Sequence, residues 1–289
     1  MICNLCPNEC NVARSVSLGK CLAPDVMLVN RIAPHYYEEP PISGTQGSGT
    51  IFFSGCTMRC AFCQNTAISR KPNGIPYAPY ELQLEIKKLE ERGVHNINFV
   101  TPTHYAHKIK ETLDIYRPNI PIVYNTSGYE KREVIEEMHD YVDVYLPDFK
   151  YMDKELAKRL SHREDYPEKA LLAIESMLRA KENVYDDNGI MRSGVIIRHL
   201  VLPYHVDNSI RVLDTIYKEF GTDVTMSLMS QFTPMQGCKE LDRAVLPLES
   251  KMVVKHAESL GFTDVFIQET SSASSEFIPE WQFNSNNVD

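Results

Sequence analysis

The sequence predicts an α/β protein, a TIM-like barrel of βα repeats with a small cysteine-rich N-terminal appendage. After about residue 48, short apolar runs alternate with longer amphipathic ones, which is typical of repeated βα units. The first 45 residues contain four cysteines and no long periodic run. With 289 residues, 43% of them hydrophobic, the chain can build one sizeable domain. We expect an appendage at 1–45, a barrel at 46–270 and a polar tail at 271–289 that packs on the body through Trp281.

Seven predicted strands consist mainly of Val, Ile, Phe and Leu, as expected when both faces of a parallel strand are covered. They lie at 49–55, 96–101, 121–126, 142–147, 193–202, 223–230 and 263–269. Helical patterns lie between them at 80–93, 103–116, 129–140, 166–183 and 207–221, the last with Asp207 or Asn208 as its cap. About six βα repeats fit a TIM-like barrel, full or partial, or an open doubly wound sheet. A glycine-rich dinucleotide loop is absent after the first strand, which weakens the second alternative.

Charge and hydropathy exclude several classes of partner. The net charge of −9 and the sequence pI near 5.5 argue against a general grip on nucleic-acid phosphates. The first 31 residues lack the pattern of a secretory signal, and no apolar stretch approaches the roughly 18 residues of a membrane span. We therefore expect a cytoplasmic protein without a nucleic-acid or membrane partner. In that reducing compartment, eight cysteines are better explained as metal ligands or catalytic thiols than as disulfides.

Three cysteines stand together directly after the first predicted strand, in the stretch SGCTMRCAFCQN at 54–65. Cys56, Cys60 and Cys63 are one ligand short of a closed zinc site. A 4Fe-4S cube has four irons that each take one external ligand, so three cysteines leave one iron open. S-adenosylmethionine can fill that position, and its reductive cleavage yields methionine and a 5′-deoxyadenosyl radical. The alternative is a zinc site completed by a distant cysteine.

Polar residues follow the other predicted strands at their C-terminal ends, where βα barrels place active-site loops. We expect these residues to lie on the face that carries the three cysteines. In strand order they are Thr101, Thr103 and His104; Asn125, Thr126 and Ser127; Asp148 and Lys150; Arg198 and His199; and Ser230 and Gln231. Since Arg198 and His199 are adjacent on a strand, only one of them can readily point into the barrel.

The C-x3-C-x2-C motif, with the aromatic Phe62 before its last cysteine, resembles the radical S-adenosylmethionine superfamily. The continuation CQN, which ends at Asn65, resembles its glycyl-radical-enzyme activating branch. With CNLCPNECNVAR, NFVTPTHY, YLPDFKY and IIRHLVLP, the chain resembles the pyruvate formate-lyase activating-enzyme-like proteins of unassigned substrate. These strings span most of residues 3–235. The resemblance implies a partial (β/α)6 TIM-like barrel and an electron donor such as flavodoxin or ferredoxin.

The resemblance also implies roles for individual residues. Cys56, Cys60 and Cys63 would be the catalytic cluster ligands. The polar residues named above from Thr101 to His199, with Phe62 and Asn65, would bind the cofactor: Asn125, Thr126 and Ser127 at its ribose or carboxylate, Lys150 paired with the methionine carboxylate, and Asp148 orienting it or ligating a small cation. Relatives commonly have a Gly-Gly-Glu-like string after the second strand, whereas this chain has Thr-Pro-Thr-His.

Four further cysteines, Cys3, Cys6, Cys10 and Cys21, form a closed ligand set in the appendage. Either an auxiliary 4Fe-4S cluster or a structural zinc would satisfy four thiolates, and the remaining alternative is that they are transient thiols. Their spacing lacks the paired C-x2-C arms of a zinc ribbon, which favours the cluster. Cys238 stands alone, and we interpret it as a thiol without a site role rather than as a ligand or radical relay.

The leading hypothesis is a radical S-adenosylmethionine enzyme that abstracts a hydrogen atom from a protein or peptide, as in activation of a glycyl-radical enzyme. One alternative is radical modification of a small metabolite or peptide in a similar barrel. A third, of a different class, is a non-catalytic iron-sulfur or zinc protein. Cleavage of S-adenosylmethionine would separate the third hypothesis from the other two.

Overall fold

The computed structural model describes residues 2–268 and Trp281. Apart from Trp281, the predicted tail at 271–289 lies outside the described residues. The Trp281 ring meets the Phe52 ring edge-on with centroids 5.3 Å apart, which confirms the predicted packing of Trp281 on the body. Among the described residues, no helix has both the length and the apolarity needed to cross a bilayer.

The strands form one large sheet and one small hairpin. They are β1 (Ile2–Cys3), β2 (Val12–Ala13), β3 (Met27–His35), β4 (Ser48–Phe53), β5 (Ile75–Tyr77), β6 (Ile97–Val100), β7 (Ile122–Thr126), β8 (Val144–Pro147), β9 (Val184–Tyr185), β10 (Met191–Leu200), β11 (Thr225–Met229) and β12 (Val265–Ile267). The strands β4, β6, β7, β8, β10, β11 and β12 lie side by side in chain order and pair in parallel. They correspond one by one to the seven predicted strands.

The barrel is partial. Across the large sheet the order runs from β12 through the parallel strands to β4, β3 and β5, and β9 pairs with β10. Within the described residues, β5 and β12 do not pair, so the sheet stays open. Ile97, Asn98 and Phe99 on β6 are all fully buried. Burial on both faces explains why these strands appear in the sequence as apolar runs rather than as alternations.

The helices are α1 (Pro40–Ser43), α2 (Thr66–Ser69), α3 (Pro79–Glu91), α4 (Ala106–Ile115), α5 (Arg132–Met138), α6 (Lys154–Ser161), α7 (Tyr166–Ala180), α8 (Val206–Phe220) and α9 (Pro247–Leu260). The five predicted helices correspond to α3, α4, α5, α7 and α8. The predicted cap of α8, Asp207 or Asn208, is wrong at both residues, because the helix begins at Val206 and His205 occupies the cap position. The Asn208 side chain instead accepts hydrogen bonds from the Met152 and Asp153 amides and donates to the Lys150 carbonyl. Asn208 therefore fixes the loop that follows β8.

The separate N-terminal unit is smaller than predicted. The hairpin of β1 and β2 is a sheet of its own. By contrast, β3 pairs antiparallel with β4 from Val29 to His35, and Met27 and Val29 are buried in the main core. The segment from Met27 onward thus belongs to the large sheet, although it lies inside the predicted appendage at 1–45.

Candidate active site

A cavity of about 250 Å³ lies where the parallel strands end. Its lining includes residues at or just beyond the C-terminal ends of β4, β6, β7, β8, β10 and β11. Thirteen residues that the sequence predicts for this face line it together: Cys56, Cys60, Phe62, Cys63, Asn65, Thr101, Asn125, Thr126, Ser127, Asp148, Lys150, Arg198 and Gln231. This convergence is the one expected for a βα barrel.

The three cysteines lie in a loop that directs hydrogen bonds at their sulfur atoms. Cys60 Sγ accepts from the Ser161 hydroxyl at 3.0 Å, and Cys63 Sγ accepts from the Ser69 hydroxyl at 3.5 Å. Burial and the neighbouring thiols raise the pKa of Cys56 to about 12. Burial, followed by the charge of Cys60, also raises the pKa of Cys63. Thiols with such pKa values become thiolates when a metal binds them, because coordination displaces the proton.

The lining fits a 4Fe-4S cluster with a small-molecule ligand. Within residues 2–268, no three Cys, His, Asp or Glu side chains converge closely enough to chelate a single metal ion. A cube takes its ligands on separate irons, and here three cysteines line the same cavity. Two buried polar atoms in the cavity, Asn65 Oδ1 and Ser127 Oγ, have no hydrogen-bond partner among the described residues. Such atoms are costly unless a ligand or water satisfies them.

A buried charge network forms one side of the cavity. Lys150 Nζ lies 2.5 Å from Asp148, and Arg198 bridges Asp148 and Glu38 with distances of 3.1 Å to each. Arg198 also donates to the Asn125 side-chain carbonyl. Burial alone would raise the pKa of Asp148, but Lys150 and Arg198 hold it below its usual range. Burial alone would lower the pKa of Lys150, but Asp148 and then Cys60 raise it. Both groups therefore stay charged at neutral pH.

Glu38 is a cavity residue that sequence reasoning missed. It follows β3, and because β3 runs antiparallel to β4, a rule based on the ends of parallel strands does not find it. Its carboxylate accepts hydrogen bonds from the Asn98 and Asn125 amides and pairs with Arg198. The one feature of the sequence that could have pointed to Glu38 is the pair of adjacent glutamates before Pro40 and Pro41. Other lining residues without a predicted role are His35, Tyr37, Phe52, Met58, Gln64, Val100, Leu200, Met229, Phe232 and Thr233.

Thr103 and His104 do not line the cavity, and their predicted cofactor contacts are wrong. After Pro102 the chain turns into a short 3-10 helix, Thr103–Tyr105, which buries both side chains. Thr103 donates a 2.5 Å hydrogen bond to Glu130, and the His104 ring bonds the Ser54 carbonyl at 2.9 Å. These contacts join neighbouring loops instead of facing the cavity. Of the Thr-Pro-Thr-His string, Thr101 alone is a lining residue.

His199 is also wrongly assigned, since it lies on the opposite face of β10 from Arg198. Its ring bonds the Phe149 carbonyl at 2.7 Å and the Ser209 hydroxyl of α8 at 2.8 Å. Arg198 lines the cavity, so the prediction that only one of the pair points inward is confirmed. After β11, Gln231 lines the cavity, whereas the Ser230 hydroxyl bonds a serine of α9.

Gly128 allows the loop after β7 to approach the loop after β8. Its φ is +78°, and a Cβ there would lie 2.2 Å from the Asp148 carbonyl oxygen. Gly189 provides a matched control, because its φ is +77° and nothing lies within 4 Å of its Cβ position. We expect Gly189→Ala to cost about 1–2 kcal/mol of unfolding free energy and Gly128→Ala roughly 1–3 kcal/mol more, measured by denaturant titration. Equal losses would show that the two loops move apart freely.

The comparisons with known proteins agree with this geometry. A profile of the Radical SAM superfamily matches residues 50–214. An uncharacterised protein of Methanocaldococcus jannaschii is 34% identical over 253 residues, which are 82% of this chain and 68% of that protein. SuiB of Streptococcus suis bound to S-adenosylmethionine is similar in fold, with a TM-score of 0.51 and 11% identity over 76% of this chain and 50% of that chain. HydG, a maturase of the FeFe-hydrogenase, gives a TM-score of 0.51 and 16% identity over 78% of this chain and 53% of that chain.

This chain spans about half the length of those two solved structures. At such low identity they show the fold alone. The profile match covers more than half of this chain, and the relative from Methanocaldococcus jannaschii covers most of it. The matched region includes the three clustered cysteines and the loops up to Arg198. The chain belongs to the radical S-adenosylmethionine superfamily.

Proposed function

We propose that this protein reductively cleaves S-adenosylmethionine and uses the 5′-deoxyadenosyl radical to abstract a hydrogen atom from a protein or peptide, as glycyl-radical-enzyme activating enzymes do. One observation carries the proposal: three cysteines and unpaired polar atoms share a single cavity at the ends of the parallel strands. Membership of the superfamily supports the radical chemistry. The activating-enzyme branch rests on the sequence strings from residue 3 to residue 235.

The proposed roles follow from the position of each group. Cys56, Cys60 and Cys63 would hold three irons of a 4Fe-4S cluster. Lys150, kept charged by Asp148, is the cation available to the methionine carboxylate. The unpaired oxygens of Asn65 and Ser127 are suited to hydroxyl or amino groups of the cofactor. Thr101, Thr126 and Asn125 complete the polar wall, and Asn125 is oriented by Arg198 and Glu38.

A reduced cluster would supply the electron that breaks the C5′–S bond of S-adenosylmethionine, and a donor such as flavodoxin or ferredoxin would reduce the cluster again. The protein would contribute orientation and exclusion of water. Phe62 packs against Phe232 with ring centroids 6.0 Å apart, and both rings line the cavity. This apolar pair would shield a radical from solvent. The free thiols fit the reducing cytoplasm, where we propose that the protein acts.

We also propose that the N-terminal cysteines bind an auxiliary 4Fe-4S cluster. Cys3, Cys6, Cys10 and Cys21 line one small pocket. The unit that carries them abuts the first motif, since the Cys56 amide donates to the Cys21 carbonyl at 3.0 Å and Asn8 donates to the Thr57 carbonyl at 2.9 Å. A redox-active group so close to the cysteine motif could relay an electron, whereas zinc cannot change redox state.

Metal analysis tests the auxiliary site. We expect wild-type protein, reconstituted without oxygen, to hold about eight irons and eight sulfides per chain, and Cys3→Ala/Cys6→Ala to hold about four of each. About one zinc per chain in the wild type, with about four irons in both proteins, would indicate that the N-terminal cysteines bind a structural zinc instead of an auxiliary cluster. Iron near four and no zinc in the wild type would contradict both assignments.

Product analysis tests the proposed function. Dithionite-reduced holoprotein should convert S-adenosylmethionine to 5′-deoxyadenosine and methionine. With a glycyl-radical enzyme encoded beside this one, it should also generate the glycyl-radical signal in the electron paramagnetic resonance spectrum. Cleavage without that signal would favour the alternative, direct modification of a metabolite or peptide. No cleavage, and no effect of S-adenosylmethionine on the spectrum of the reduced cluster, would indicate a non-catalytic iron-sulfur protein.

A further inference from the structure

A second cavity, of about 280 Å³, adjoins the first and shares Tyr37, Glu38 and Gln231 with it. It lies between the segment that follows β3 and the strands β11 and β12. Pro40, Phe266 and Ile267 supply an apolar part of its lining. The two cavities are therefore neighbours with a common polar wall.

The second cavity contains an unusual concentration of unsatisfied oxygen atoms. Both carboxylate oxygens of Glu39, the Ser227 hydroxyl and the Gln268 side-chain carbonyl are buried and have no hydrogen-bond partner among the described residues. Glu39 is only 2% exposed and Ser227 is fully buried. Although the Ser227 hydroxyl lies near enough to favour the charged form of Glu39, neither group completes a hydrogen bond. Buried carboxylates without a partner are among the most costly groups in a protein.

The charges around Arg198 do not balance. This buried network combines three carboxylates with two cations: Glu38, Glu39 and Asp148 against Lys150 and Arg198. Glu38 and Asp148 each have an ion-pair partner within 3.1 Å, whereas Glu39 has no cation within ion-pair distance among the described residues and is attracted by Arg198 only from farther away. Burial raises the pKa of Glu39, although the charge of Arg198 acts in the opposite direction.

These observations indicate a cationic ligand with several donors and an aliphatic part. A primary ammonium has three N–H donors and no acceptor, which suits the unpaired oxygens of Glu39, Ser227 and Gln268. An alkyl chain attached to it would lie along Pro40, Phe266 and Ile267. We propose that the second cavity binds a primary ammonium group of the substrate on an aliphatic chain, with Glu39 as its counter-ion. The attached carbon skeleton then leads past Gln231 into the first cavity, where, given the proposed function, the hydrogen atom is removed.

Binding of n-butylamine to the reconstituted holoprotein tests this site without S-adenosylmethionine or reductant. The probe is a four-carbon alkylammonium at neutral pH, and n-butanol is its neutral counterpart. Ligand-observed nuclear magnetic resonance should show saturable binding of the amine and at least about tenfold weaker binding of the alcohol, because charge-assisted hydrogen bonds are lost. Equal binding of the two probes, or no saturable binding of the amine, would overturn the proposal.

Variants connect the binding to Glu39. Glu39→Gln should weaken n-butylamine binding at least about tenfold, Ser227→Ala should weaken it less, and the exposed Glu137→Gln should leave it unchanged. Since the glutamine removes an unpaired buried charge while keeping the side-chain shape, Glu39→Gln should unfold at a temperature no lower than the wild type. A marked loss of stability would show that Glu39 has a structural partner, and unchanged amine binding would place the ammonium elsewhere. Either result would refute the assignment.

The source of the ammonium can be identified with the same titration. If a blocked peptide with a central lysine binds more tightly than n-butylamine, the substrate is a protein or peptide. If 1,4-diaminobutane binds more tightly, the substrate is a small metabolite. Both results keep the ammonium as the recognised group. Because the titration needs no cleavage of S-adenosylmethionine, its failure leaves the proposed function intact, and failure of cleavage leaves the binding result interpretable.

Discussion

Replacing Cys60 with alanine is expected to abolish formation of 5′-deoxyadenosine by the reduced, reconstituted protein. Cys60 is 7% exposed and lies in the cavity with the other two cysteines of the motif. Removing a residue that only hydrogen-bonds to a metal ligand typically costs about 10- to 100-fold in metal affinity or activity. Loss of the ligand itself should therefore have a larger effect. Chromatographic analysis of the nucleoside product measures the effect.

Two further variants set the scale for this result. Ser161→Ala removes only the hydroxyl that donates to Cys60 Sγ, and we expect a loss of about tenfold. Cys238 is a buried thiol of the hydrophobic core that does not line the cavity, and Cys238→Ala should retain cleavage. If Cys60→Ala and Cys238→Ala were equally active, the three clustered cysteines would not hold the cluster that cleaves S-adenosylmethionine.

Arg198→Met is expected to lower the free energy of unfolding by about 3–5 kcal/mol, because it leaves the buried carboxylates of Asp148 and Glu38 without their shared cation. The matched control is Arg179→Met. Arg179 pairs with Glu175 on the surface, where its side chain is 65% exposed, and such pairs contribute about 0–1 kcal/mol. Chemical denaturation of both variants measures the difference.

A double variant separates charge from packing at this position. Adding Glu38→Gln to Arg198→Met removes the carboxylate that Arg198 alone pairs with among the described ion pairs, whereas Asp148 keeps Lys150, so we expect part of the lost stability to return. If the second substitution destabilised the protein further by its full individual cost, the two residues would contribute independently. The interpretation of Arg198 as the centre of a charge network would then be untenable.

Much of the fold was predictable because parallel strands have a simple signature. Strands such as β6 and β7 are buried on both faces, so they appear as short apolar runs, and the helices between them carry one apolar stripe. The helices α6 and α9 were not predicted. The eight residues of α6 begin at Lys154 after Asp153, whose side chain caps the Leu156 amide, and α9 buries only Val253 and Ala257. Such short or weakly amphipathic segments depend on the surface on which they pack.

Errors at the candidate site occurred where backbone geometry overrides sequence position. Thr103 and His104 follow a strand end like the true lining residues, but the 3-10 turn after Pro102 buries them against neighbouring loops. The glutamates at 38 and 39 come from a segment beside an antiparallel strand. Their approach to Arg198 spans 160 residues of chain, and no local pattern reports a contact of that separation.

The sequence by itself determined the family, the cysteine motif and the order of the parallel strands, because each is encoded in spacings of a few residues or in the burial of one strand. Only the tertiary structure decided which polar side chains face the cavity, that Arg198 connects Asp148 to Glu38, and that the Glu39 carboxylate has no hydrogen-bond partner among the described residues. These features depend on distances between residues far apart in the chain, and on how far the packed fold exposes each charged group to solvent.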